Sequence, residues 1–190
     1  HIVFAGMGGS GAIGDILSAI LSKTNTHVTI VKGYHLPKTV DSKSLVIITS
    51  ISGNTAETLA MLENARKIGA KIIAFSSGGK ISKICLENNI EYRNIQKYHS
   101  PRASFTSFLY SILKVLKPII PIEESDILES IKKMEIISKK INSRNISMNN
   151  PAIEMSEWII NSPIIYYPWG LQSVAIRYKN SLQENAKMHT

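Results

Sequence analysis

The chain has 190 residues, 44% of them hydrophobic and 19% charged, with 22 Lys and Arg against 14 Asp and Glu, a net charge of +8. That supplies one ordinary core, or one domain and part of another, and no apolar run reaches the roughly 18 residues of a membrane helix. The lysines are scattered with no aromatic–basic stripe among them, so the positive field suits an anionic small molecule better than nucleic acid.

The chain opens at once on strand residues, Ile2 to Ala5, with no signal peptide ahead of them, and is expected to be a segment of something longer. Gly6-Met7-Gly8-Gly9-Ser10-Gly11 makes a tight turn into a helix carrying Ile13, Ile16, Leu17, Ile20 and Leu21 at helical spacing. Val28–Val31 is a second strand and Leu45–Thr49 a third. Ser50-Ile51-Ser52-Gly53-Asn54-Thr55 then opens a helix from Ala56 to Lys67, which Gly69 ends. Ile72–Phe75 is a fourth strand. Ser76-Ser77-Gly78-Gly79 leads into a short helix to Leu86, and Ile90–Ile95 is a weak fifth strand. Strands alternating with helices over short connections predict an α/β fold with a parallel sheet covered on both faces. Ligands of such sheets bind at the carboxyl ends of the strands, where all three Gly/Ser-rich turns fall.

Further on, Ser100-Pro101-Arg102 precedes a helix from about Ala103 to Lys117, and a second amphipathic helix runs from Glu124 to Ile141 with acids first and lysines last. Asn142–Asn150 reads as a linker. A helix over Ile153–Ile160, a strand over Ile164–Tyr167 and a helix beginning near Gln172 look like the opening of a second α/β domain. Asn180–Thr190 reads as a helix and the turn leaving it.

Several motifs carry more than one reading. Gly6-x-Gly8-x-x-Gly11 fits the dinucleotide fingerprint, but the second strand ends in Val31-Lys32 rather than in the acid that binds a ribose. Lys32 leaves a 2′-phosphate open, glycines serving only a tight turn are a second reading, and close approach of a ligand to backbone N–H groups is the third. Ser50, Ser52 and Thr55 suit helix capping, which needs one hydroxyl. Three hydroxyls at i, i+2 and i+5 around a glycine suit a phosphate at the positive end of a helix. Arg102 is either a surface charge or a cation for a substrate oxygen. By periodicity Glu184 is an ordinary exposed glutamate. Cys85 shares an apolar helical pattern with Ile81 and Ile84 and reads as buried filler; a lone cysteine excludes an internal disulfide and fits a reducing cytoplasm. The histidines His1, His27, His35, His99 and His189 show no metal-ligand spacing.

The glycine turn, Ser50 to Leu59, and Ser76-Ser77-Gly78-Gly79-Lys80 together resemble sugar isomerase (SIS) domains. With Ser100-Pro101-Arg102 and Gln183-Glu184-Asn185-Ala186-Lys187 added, the chain resembles the bifunctional phosphoglucose/phosphomannose isomerase family over almost its whole length. The resemblance implies an SIS-type three-layer αβα sandwich over residues 1–145, followed over 151–190 by the first strand and helix of a second SIS domain. It implies a cytoplasmic homodimer that interconverts glucose 6-phosphate and mannose 6-phosphate with fructose 6-phosphate, needing no metal or organic cofactor. By the match, Ser50, Ser52 and Thr55 hold the phosphate and Gly8, Gly9 and Ser10 line the sugar side. Arg102 stabilises an enediolate, and Glu184 is the base that moves a proton between C1 and C2. A carboxylate base beside a group that polarises oxygen suits this chemistry.

The sequence departs from the family at Ile51, usually aromatic, and at Gln183, usually Asn. The family's ring-opening histidine, given by the partner subunit, and a late lysine would fall after Thr190. A non-catalytic SIS module that senses a sugar phosphate is the alternative; such regulators add a helix-turn-helix domain, and none is visible. Arg102 with Glu184 in this local context disfavours other SIS enzymes such as phosphoheptose isomerases.

Overall fold

The computed structural model describes residues 1–147 and 149–190; Met148, inside the expected linker, lies outside the described residues. The chain divides into two compact units, one of residues 1–121 with 170–177 and one of residues 122–169 with 178–190.

The first unit is built on five parallel strands: β1 (Ile2–Gly6), β2 (Val28–Val31), β3 (Leu45–Ser50), β4 (Lys71–Ser76) and β5 (Glu91–Asn94), in the order β2-β1-β3-β4-β5. Helices α1 (Gly8–Leu21), α2 (Ala56–Ile68) and α3 (Gly79–Glu87) make the crossovers, and α4 (Phe105–Leu116) packs on α1. The alternation of side chains along the strands separates the two faces. Val3, Ala5, Val46 and Ile48 point into one core with Met61, Leu62 and Ala65 of α2 and Ile81 and Cys85 of α3. Phe4 points the other way, onto α1, where a Cβ added at Gly14 would lie 2.8 Å from the Phe4 Cβ. The central strands are apolar on both sides because both faces are covered, giving the three-layer α/β arrangement expected.

Local chemistry sets the ends of these elements. Helix α2 has Glu57 in its first turn and Arg66 and Lys67 in its last, and it stops at Gly69, whose left-handed φ of 74° turns its N–H back to the carbonyls of Ala65 and Arg66. Pro101 starts a 3-10 turn, Pro101–Ser104, ahead of α4, so the helix expected from Ala103 begins at Phe105.

In the second unit, α5 (Glu124–Ile141) is opened by a reciprocal capping box between Glu123 and Asp126 and is laced by Glu129–Lys133 and Glu135–Lys139 pairs. Helix α6 (Pro151–Trp158) is capped by the Asn150 side chain, which accepts from the Ala152 N–H at 2.9 Å. The strand expected over Ile164–Tyr167 does not form. A strand needs a neighbour for its backbone groups, and among the described residues nothing pairs with this segment; Tyr166 stays 88% exposed. Helix α7 (Gln172–Ser181) follows, and the expected continuation of the helix past Asn180 is instead a π turn over Leu182–Ala186.

Candidate functional site

Pairing of Gly6 with Thr49 sets the carboxyl ends of β1 and β3 side by side, and pairing of Ser50 with Ser76 adds the end of β4. From β1 and β3 the chain crosses to opposite faces of the sheet through α1 and α2. This is the topological switch point at which a crevice opens in open α/β sheets.

On the β1 side, Met7 is the N-cap of α1 and gives no side-chain cap, so the first-turn N–H groups at Gly8 and Gly9 stand at the positive end of the helix. Ser10 is buried at 8% exposure. Gly11 is required by packing, since a Cβ there would stand 2.8 Å from the Gly6 carbonyl oxygen, a backbone atom, with the Lys32 Cε beside it at 3.0 Å. The stem of Lys32 thus crosses α1, and its ammonium is held at 2.6 Å by the Asp15 carboxylate. That pairing neutralises the cation that left a 2′-phosphate open, and the close approach of Gly11 to the Gly6 carbonyl accounts for the third glycine of the fingerprint without a dinucleotide.

On the β3 side, Thr55 is the N-cap of α2 but makes no side-chain cap. Its Oγ1 lies 3.2 Å from Ser50 Oγ, and Ser50 Oγ also accepts from the Gly53 N–H at 3.2 Å. The capping reading of this loop therefore fails for Thr55. Ser50 is buried, whereas Ser52 is exposed, its Oγ accepting from the Asn54 N–H. The loop is clamped onto the turn after β4: the Ile81 N–H donates to the Gly53 carbonyl at 3.0 Å, and the Lys80 N–H donates to Asn54 Oδ1 at 3.0 Å. Gly53 adopts φ +66°, and a Cβ on it would stand 1.8 Å from the Gly78 carbonyl oxygen.

The fold thus brings Gly8, Gly9 and Ser10 together with Ser50, Ser52 and Thr55. Arg102 lies exposed in the 3-10 turn before α4 of the same unit. Glu184 belongs to the second unit, exposed in the π turn, where its carbonyl accepts from Lys187 Nζ at 2.7 Å. Single π turns recur at functional sites.

Sequence reasoning missed three features. Arg177, of α7, belongs to the first unit; its guanidinium sits 4.6 Å from the Phe105 ring centroid, and its Nη1 lies 3.8 Å from where a Gly9 Cβ would be. No periodicity or spacing links a late helix to a glycine turn. The hydroxyls of Ser77 and Ser100 are shielded from solvent and have no hydrogen-bond partner among the described residues. Both stood inside motifs already singled out, but only tertiary contacts show them shielded. A groove of about 860 Å³ beside β5 is lined by Phe75, Tyr92, Ile95, Ser111 and Lys114, among others, and by none of the candidate residues. Burial pushes the Cys85 thiol up to about 11, in keeping with buried filler. Among the described residues there is no group of three or more His, Cys, Asp or Glu able to hold a metal ion, and no helix long and apolar enough to cross a membrane.

Fold and site together define a parallel α/β domain that gathers serine and threonine hydroxyls and the N-termini of α1 and α2 at the carboxyl edge of its sheet. Residues 1–112 match the SIS domain, and the chain belongs to that family. Residues 148–190 match the bacterial phospho-glucose isomerase C-terminal SIS domain. Two curated relatives are each named bifunctional phosphoglucose/phosphomannose isomerase, one from Caldicellulosiruptor bescii and one from Thermoplasma acidophilum. Both are 35% identical, over 98% and 99% of this chain respectively and 56% of each relative. The chain thus spans about half the length of the curated relatives it matches. A crystal structure of a hypothetical protein from Thermus thermophilus superposes with a TM-score of 0.73 at 18% identity, covering 96% of this chain and 48% of that one, which bears on the fold alone.

Proposed function

We propose that this chain carries the phosphosugar-binding half of an aldose–ketose isomerase that interconverts glucose 6-phosphate and mannose 6-phosphate with fructose 6-phosphate. The observation that carries the reading is the loop after β3. Ser50 and Thr55 bond to each other instead of capping α2, which leaves hydroxyls and first-turn N–H groups together at the positive end of a helix. Phosphate is the ligand such an end favours. The names of the curated relatives support the same class of reaction.

In this proposal Ser50, Ser52 and Thr55 hold the phosphate, and Gly8, Gly9 and Ser10 line the sugar. On the open-chain aldose, the Glu184 carboxylate takes the C2 proton. The electron pair forms the C1–C2 double bond, and the C1 carbonyl pair moves onto its oxygen, giving an enediolate that Arg102 stabilises. Return of the proton to C1, with the O2 hydroxyl proton passing to the O1 oxyanion as the C2 carbonyl forms, yields the ketose, so the step balances without an oxidant or reductant. Such oxyanion stabilisation is worth roughly 2.7–4 kcal/mol per donor in comparable sites. Residues 1–145 form the first SIS domain and 151–190 open a second, in a homodimer acting in the cytoplasm. The match of residues 148–190 supports the second domain.

The test uses the full-length protein. Fructose 6-phosphate formation is followed from each aldose 6-phosphate with chelator present, for wild type and Glu184→Gln, beside calorimetric binding of fructose 6-phosphate. Turnover of both sugars, abolished by the substitution while binding persists, is the expected result. Binding without turnover in the wild type would overturn the isomerase and leave a ligand-sensing module.

A further inference from the structure

Arg177 is the feature that neither the motifs nor the proposed chemistry absorbs. Helix α7 returns residues 170–177 to the first unit and lays the Arg177 guanidinium against the face of Phe105, at the start of α4. Stacking on an aromatic face holds the planar fork and lowers the entropy lost when it binds. Its Nη1 also stands 3.8 Å from the point where a Gly9 side chain would begin, an ordinary van der Waals separation. A fixed cation therefore sits at the uncapped first turn of α1, on the carboxyl edge of the sheet. Adjacent strands lie about 4.8 Å apart, so a ligand anchored at the end of β3 needs to extend by one strand to reach this turn.

We infer that Arg177 is a substrate-contacting residue whose guanidinium binds an oxygen of the sugar above the Gly8–Gly9 turn while the loop after β3 holds the phosphate. The inference rests on the phosphosugar reading of that loop. It separates two tasks along the strand ends, phosphate at β3 and sugar oxygens at β1, and assigns the second to a residue that arrives from the far end of the chain. A helix clamp that merely docks α7 on α4 through Phe105 is the competing role, and the two differ in what they do to different ligands.

The experiment measures fructose 6-phosphate and inorganic phosphate binding to the full-length protein by calorimetry and phosphorus NMR, with thermal melts, for wild type, Arg177→Gln and Arg177→Lys. Loss of a charge-assisted contact weakens fructose 6-phosphate by about 10- to 100-fold in Arg177→Gln, and inorganic phosphate stays within about twofold. Arg177→Lys keeps the charge and stem but loses the fork, and is expected to weaken the sugar phosphate by about fivefold. Unchanged sugar-phosphate affinity in both variants, with a lowered melting temperature, would make Arg177 a clamp and overturn the inference. A parallel fall for both ligands would also overturn it, as a general electrostatic effect. If Arg177→Gln does not fold, Arg177→Lys decides by the same comparison. A wild type that binds phosphate but not fructose 6-phosphate would instead sink the phosphosugar reading, and the inference with it.

Discussion

Gly53→Ala tests whether the loop after β3 is as tightly built as its geometry requires. The new Cβ would meet the Gly78 carbonyl oxygen at 1.8 Å, well inside contact distance, and the opposing atom is backbone rather than the tip of a flexible chain. That carbonyl is itself fixed, accepting from Ser76 Oγ at 2.8 Å. Placing alanine at φ +66° costs about 1–2 kcal/mol. Relieving the overlap adds about 1–3 kcal/mol, the range of overpacked sites. Separating the loops also loosens the bond from Ile81 N–H to the Gly53 carbonyl, worth about 1 kcal/mol. The sum is about 3–6 kcal/mol. Gly8→Ala is the control: its φ is also positive, +53°, but nothing lies within 4 Å of the added carbon, so only the conformational cost of about 1–2 kcal/mol applies. Urea unfolding of the full-length protein and both variants gives the comparison. Equal losses would refute the claim that the turns after β3 and β4 are packed backbone on backbone.

Three further outcomes can be checked independently. Ser52→Ala removes an exposed hydroxyl that accepts one backbone N–H; fructose 6-phosphate affinity should fall by about 5- to 10-fold by calorimetry, with stability changed by less than about 1 kcal/mol. Phe108→Ala empties a fully buried site on α4 and should cost about 3–5 kcal/mol in chemical denaturation. Cys85 should resist a thiol reagent in the native protein at neutral pH and react once urea unfolds it. Its folded-state value of about 11 lies above the ordinary 9.0, so folding favours the protonated thiol. This contribution to stability is complete below about pH 9 and is lost as the pH rises toward 11; a stability independent of pH in that range for wild type relative to Cys85→Ala would contradict the burial.

Much of the first unit was legible in the linear pattern. Short apolar runs rich in β-branched residues, such as Leu45-Val46-Ile47-Ile48, read as strands buried on both faces, and apolar positions at helical spacing between them point to crossovers and a parallel sheet. The glycine turn and the Ser50–Thr55 loop were visible because close backbone approach and positive φ demand particular residue types. The same logic misjudged Ile164–Tyr167, where strand propensity found no partner, and it could not foresee the π turn around Glu184, which is a change of hydrogen-bond register rather than of composition. Pattern also left open whether Thr55 caps a helix, whether Lys32 is available to a ligand, and what Arg177 touches. Those answers came from contacts between residues far apart in sequence: Thr55 turned to Ser50, Lys32 paired with Asp15, and Arg177 stacked on Phe105 beside Gly9. Local sequence sets backbone conformation and which faces are buried, because those depend on near neighbours and periodicity. The assignment of individual polar groups is decided in three dimensions, because each donor and charge takes whichever partner the fold brings within reach.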